Sequence, residues 1–258
     1  MLVRLVEIIG AATERPLQAL GKIILLFFRT LREMARPPFE IRSVVRQMLE
    51  IGVNSLPVVL ITAVFTGMVL ALQSYTGFKR FGAEGLVGTV VALSMTRELG
   101  PVLSALIVTG RAGAAIAAEL GTMRVTEQID AMEAMATNPV KYLVVPRFLS
   151  GLIMLPALAV VTDIVGILGG YMVSVLLLGT NAKSYLRATW DFLHLQDIYS
   201  GLTKACFFGA AFTLISCYKG FYTKGGAEGV GRATTGAVVV SSMTILISDY
   251  FLSAWLFR

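Results

Sequence analysis

Five apolar stretches constrain this chain more than any other feature of its sequence. They run over roughly 51–75, 86–121, 143–178, 201–218 and 236–257. Each is long enough as a helix to cross a hydrocarbon core about 30 Å thick, which takes about 20 residues. The second and third are longer than that, about 54 Å at about 1.5 Å per residue. They must tilt, kink or project into water, and Pro101 and Pro156 are natural kink points. Charged residues make up only 15% of the 258 residues, against about 25% in soluble domains. That is too little charge to cover a soluble surface or to keep the chain disordered. The fold class is an all-α integral membrane protein with five transmembrane helices.

Basic residues set the expected orientation. Counting by stretch, fourteen fall on one side: eight among the first fifty residues, then Arg124, Lys141, Arg147, Lys219, Lys224 and Arg232. Six fall on the other: Lys79, Arg80, Lys183, Arg187, Lys204 and Arg258. The bias toward cytoplasmic Lys and Arg places the N-terminus in the cytoplasm and the C-terminus outside. It also accounts for the net charge of +6 without nucleic acid, for which no motif is present. The N-terminal region does not read as a cleavable signal, because Glu7 interrupts its first apolar run. Leu17, Leu20, Ile24, Phe27, Phe28 and Leu31 recur at helical spacing. They suit a helix lying in the membrane interface or an elbow packed on the bundle. We therefore divide a single domain, 1–258, into an N-terminal helical region (1–48) and a five-helix bundle (51–257).

Several chemistries are missing. There is no G-x-x-x-x-G-K-[ST] phosphate loop and no G-x-S-x-G nucleophile elbow. His194 is the single histidine, which excludes a His-pair metal site and reads as a surface residue. No metal or cofactor is expected in this chain. Cys206 and Cys217 are eleven residues apart on one segment, about 16 Å, too far to pair with each other.

Charges at membrane depth are costly and mark candidate function. Counted from the outer side at 1.5 Å per residue, Arg97 and Glu98 lie about 17 Å deep, Asp249 about 12 Å and Lys204 about 5 Å. Three helices thus bring four charges into the outer half. They are either packing pairs, Arg97–Glu98 and Lys204–Asp249, or a polar patch in an outward-facing cavity. Leu70, Leu72, Phe78 and Leu99 around them suit an apolar part of such a cavity, and Gln73 and Tyr75 end the first stretch on the same side. Asp163 has no evident partner. Gly110, Gly113, Ala114, Ala117 and Ala118 on the second stretch, and Gly166 and Gly170 on the third, mark close helix contact, more simply within the chain than between copies. Between the second and third stretches, Thr126 is a plausible N-cap and Asn138-Pro139 a plausible stop. The helix expected at 126–137 has Ile129, Met132 and Met135 on one edge and Glu127, Asp130 and Glu133 beside them. It either docks a partner or lies against the membrane.

The run Arg97-Glu98-Leu99-Gly100-Pro101, the segment GRAGAAIAAELGTMRVTEQIDAMEAMATNP at 110–139, and Pro146-Arg147 resemble the MlaE/YrbE permeases of MCE-linked ABC transporters. FTGMVLALQ at 65–73 and GVGRATTGAVVVSS at 229–242 extend the likeness from about residue 40 onward. The resemblance implies a homodimer in the bacterial inner membrane that moves phospholipid and contributes to outer-membrane lipid asymmetry. Its implied partners are cytoplasmic ABC ATPase subunits that bind ATP and Mg, a STAS-domain subunit held through the ATPase, and a periplasmic hexamer of MCE-domain subunits. It makes 126–137 the coupling helix, with Thr126, Glu127, Gln128, Ile129, Asp130, Met132 and Glu133 meeting the ATPase. It assigns substrate binding to Arg97, Glu98, Lys204, Asp249, Leu70 and Leu99, with Phe78 and Tyr75 beside them. The competing expectations are an ATPase-independent membrane transporter or enzyme, and a membrane anchor for a periplasmic ring.

Overall fold

The computed structural model describes residues 2–37 and 40–256. Phe257 and Arg258, used above to bound the last stretch and count charge, lie outside the described residues, as do the side chains of Arg4, Glu7 and Arg15. Every regular element among the described residues is helical. In chain order they are α1 (Leu2–Met34), α2 (Ile41–Lys79), α3 (Glu84–Val125), α4 (Gln128–Ala134), α5 (Val140–Leu177), α6 (Ala182–Phe192), α7 (Leu195–Phe221) and α8 (Gly226–Leu256). The helices α2, α3, α5, α7 and α8 are the five long apolar ones, as expected. We call the bundle's two ends outer and inner after the basic-residue count.

The long helices bend where their sequences require it. A tight turn at Val53–Ser55 precedes Pro57 in α2, so the span begins ten residues earlier than its apolar run. In α3 the turns Met95–Leu99 and Thr109–Gly113 are widened to π geometry. Pro101 has no N–H to return to the carbonyl of Arg97, four residues earlier, so the helix loosens there instead of breaking.

The centre of the bundle is α5, packed between α2 and α7. Backbones touch at two glycine pairs. A Cβ on Gly67 would lie 1.8 Å from the Gly166 carbonyl oxygen, and one on Gly209 would lie 2.3 Å from that of Gly151. Gly166 and Gly170 therefore serve packing within the chain, and so do Gly113 and Ala117 of α3. Gly110 departs from that pattern and faces open space. The main core joins α3, α5 and α7 through Val108, Leu120, Leu155, Phe208 and Phe212.

The helix α1 combines the two arrangements considered for it. Phe27 and Leu31 pack on the core with the buried Leu26, and Phe27 meets Phe148 edge-on at 6.1 Å. Leu17, Leu20, Ile24 and Phe28 remain exposed. The outer helix α6 was not foreseen. Asn181 caps it, and Tyr185 anchors it by donating to the Ile167 carbonyl at 3.2 Å.

Candidate functional site

At the outer end, the charges expected at membrane depth are gathered around one ammonium. Lys204 on α7 is fully buried. Its Nζ donates to Glu98 Oε2 at 2.6 Å, to Ser253 Oγ at 2.7 Å and to the Arg97 carbonyl at 3.0 Å. These three acceptors match an ammonium's three N–H donors. Asp249 Oδ1 adds its charge at 3.1 Å. The Arg97 carbonyl is the acceptor that Pro101 leaves without a helical donor, so the kink and the buried lysine answer each other. Ser253 ties the cluster together, its hydroxyl 3.0 Å from Glu98 Oε1 and 2.8 Å from the Asp249 carbonyl. Three helices thus meet on one cation: α3 through Glu98, α7 through Lys204 and α8 through Asp249 and Ser253.

Arg97 takes a different partner from the one expected. Its Nε donates to Asp197 Oδ1 at 2.7 Å, and Asp197 Oδ2 accepts the His194 backbone N–H at 3.0 Å. Adjacent residues on a helix do not face each other, which is why Arg97 does not pair with Glu98. Asp197 escaped the sequence reading because it lies before the apolar run of α7. Its signal was the His194–Asp197 spacing, N-cap to third helical residue, of a capping box. Ser253 was missed too, although it follows Asp249 by one helical turn on the same face.

The apolar residues assigned to the site fall beside this cluster. Leu70, Tyr75, Phe78 and Leu99 are half-buried and pack on one outer group built on Ala71, Val87, Val91 and Met95. Leu99 and Glu98 are neighbours on the widened turn of α3, so the apolar and charged parts adjoin there. Lys79 lies over the Tyr75 ring at 5.6 Å. Asp163 stands apart from the cluster on α5. Its Oδ1 fills the space that a side chain on Gly100 would occupy, 1.8 Å from the position of such a Cβ.

At the inner end, the helix expected at 126–137 is shorter, Gln128–Ala134. Thr126 is not its N-cap; the Thr126 hydroxyl donates back to the Thr122 carbonyl at 2.9 Å and closes α3. The N-cap is Glu127, held in the left-handed region at φ 59°. Glu127, Gln128, Asp130 and Glu133 are exposed, and Met132 is half-buried. Ile129 is buried and turns toward the bundle, whereas Met135 at the other end of the apolar edge is 70% exposed, so α4 presents a mainly acidic outward surface with one exposed methionine. Arg124 engages Asp130, fixing α4 to the end of α3.

The chain thus forms a bundle of five long apolar helices, with a charged knot at one end and a polar helix at the other. The sequence matches the family described as Permease MlaE over residues 44–255. The chain belongs to the MlaE permease family. A probable ABC transporter permease of Rickettsia typhi is 50% identical over 258 residues, the whole of both chains. A probable ABC transporter permease of Synechocystis is 44% identical over 84% of this chain and 82% of its own. The intermembrane phospholipid transport system permease protein MlaE of Haemophilus influenzae is 38% identical over 93% of this chain and 97% of its own. This MlaE-family chain is therefore a multi-pass membrane permease of the ABC class.

Proposed function

We propose that this permease moves glycerophospholipid between the inner membrane and a periplasmic MCE-domain path, as one half of a homodimer driven by a partner ATPase. The observation that carries the reading is the buried Lys204, shared by Glu98 and Asp249 from two other helices beside the apolar group of Leu70, Tyr75, Phe78 and Leu99. With Arg97 and Asp197 the knot holds two cations and three carboxylates. A zwitterionic headgroup suits such a mixed set: its phosphate competes for Lys204 and Arg97 while its amine meets a released carboxylate. The acyl chains then follow the apolar side of the widened turn. Exchange of one ion pair for another keeps the buried cation from being left unpaired at any stage. Because the knot joins α3, α7 and α8, opening it for a headgroup moves those helices apart. ATP hydrolysis at the inner end, transmitted through α4, would drive that step.

The orientation follows the basic-residue count, with the N-terminus and α4 cytoplasmic and the C-terminus periplasmic. The outer-membrane asymmetry role and the STAS and MCE partners come with the family reading. ATP-driven phospholipid transfer from vesicles holding the reconstituted complex tests the proposal. Charge reversal at Glu98, Lys204 or Asp249 should reduce transfer at least about tenfold, the scale of one lost charged contact, while the complex still assembles. Normal transfer by all three reversals would refute the site.

A further inference from the structure

A second concave site, about 440 Å³ in volume, lies at the inner end between α1, α4 and the end of α7. Its cations Arg29, Arg32, Arg124 and Lys224 outnumber Glu33 and Glu133. Arg124 is taken by Asp130, and Glu33 turns to Arg36 at 3.5 Å. Among the described residues, Arg29, Arg32 and Lys224 hold no carboxylate within ion-pair distance. Three cations outside any ion pair against one such carboxylate, Glu133, leave the hollow with a positive potential that attracts an anion.

The hollow has fixed walls and an apolar approach. Tyr222 is held between Tyr218, 5.0 Å between ring centres, and Lys22, whose Nζ lies 5.0 Å above the ring. Lys141 donates to the Pro37 carbonyl at 2.9 Å and ties the end of α1 to α5. Leu25 and Phe28 are 59% and 62% exposed, and each stands one helical turn before an arginine, Arg29 and Arg32 respectively. An acyl chain lying along that stripe delivers its phosphate to the two guanidinium groups. A free anion would gain nothing from the stripe.

We propose that this hollow binds the phosphate headgroup of an anionic phospholipid from the cytoplasmic leaflet, held by Arg29 and Arg32 of α1 and by Lys224 just beyond α7. The proposal uses the orientation adopted above and is independent of the outer lipid site. It is tested with the assembled transporter in phosphatidylcholine nanodiscs carrying a fraction of photoactivatable phosphatidylglycerol, the labelled peptides being mapped by mass spectrometry. Label is expected on residues 25–32 and 222–224. Combined Arg29→Gln, Arg32→Gln and Lys224→Gln should reduce it at least about tenfold, since each cation near an anionic lipid contributes about 1 kcal/mol, roughly fivefold. Arg29→Lys with Arg32→Lys should keep most of it. Glu98→Gln, which loosens the outer knot while Asp249 still balances Lys204, should label here like the wild type; loss there in an assembled complex of unchanged thermal stability would trace the label to transported lipid and overturn a separate site. Equal labelling by photoactivatable phosphatidylcholine would overturn the headgroup claim. Displacement by inorganic phosphate would assign the hollow to a soluble anion. Label seen only without the ATPase would assign it to an acidic partner surface. Either result overturns the proposal.

Discussion

Each end of the bundle buries one cation against a half-exposed carboxylate, and the two are built differently. At the outer end Lys204 is fully buried and its partner Glu98 is 41% exposed; at the inner end Arg147 is 3% exposed and its partner Glu119 is 57% exposed. Arg147 is held by one other helix, through Glu119 of α3 at 2.6 Å, and by the Leu143 carbonyl one turn back on its own helix. Lys204 is held from two other helices, α3 and α8. The inner pair therefore joins the start of α5 to α3 alone, whereas the outer knot joins α3, α7 and α8 through one cation. A cation held across helices is a place where helix movement and ligand charge can be exchanged.

The comparison is broken most severely at Lys204. Lys204→Met leaves Glu98 and Asp249 facing each other without a cation and should cost about 3–5 kcal/mol, read as a loss of thermal stability in detergent. Adding Glu98→Gln and Asp249→Asn should recover much of that loss, because the uncompensated charge goes with them. Arg147→Met should cost less, about 1–3 kcal/mol, because exposed Glu119 returns to water and only the buried contacts of the guanidinium are lost. If the two single substitutions cost the same, the distinction between a cation paired with one carboxylate and a cation shared by two fails. Ser253→Ala removes the hydroxyl between Lys204 and Glu98 and should cost about 1 kcal/mol in the same assay. Asp130→Asn breaks the exposed pair with Arg124 and should change stability by less than about 0.5 kcal/mol. It should nevertheless lower ATP-driven transfer, because it loosens α4 from α3; an unchanged transfer rate would remove α4 from the coupling path.

The spans were legible because hydropathy reports burial in lipid directly. Their ends were not, since a helix continues into polar sequence when caps and backbone bonds allow it. That error propagated into the site. Counted from the apolar run, Lys204 seemed about 5 Å deep; counted from Leu195, where α7 begins, it is about 14 Å deep, level with Glu98 and Asp249. The three were therefore better matched in depth than their sequence positions suggested. The partner of Arg97 was illegible for the same reason, as Asp197 belongs to the polar first turn of α7. The α4 helix was placed correctly and capped wrongly. Thr126 had the composition of an N-cap, but its hydroxyl was already committed to the preceding turn of α3. The helix α6 left only an amphipathic trace, too short and too polar to rise above a loop, and its Tyr185 anchor depends on a contact distant in sequence.

The central claim is that the outer knot is where a phospholipid headgroup is exchanged for an internal ion pair. A structure of the assembled transporter with lipid bound tests it most directly. The account predicts a headgroup phosphate within hydrogen-bond distance of Lys204 or Arg97, about 2.7–3.2 Å, with the Lys204–Glu98 or Lys204–Asp249 contact lengthened. A lipid held elsewhere, with all of the Lys204 contacts unchanged, would contradict it.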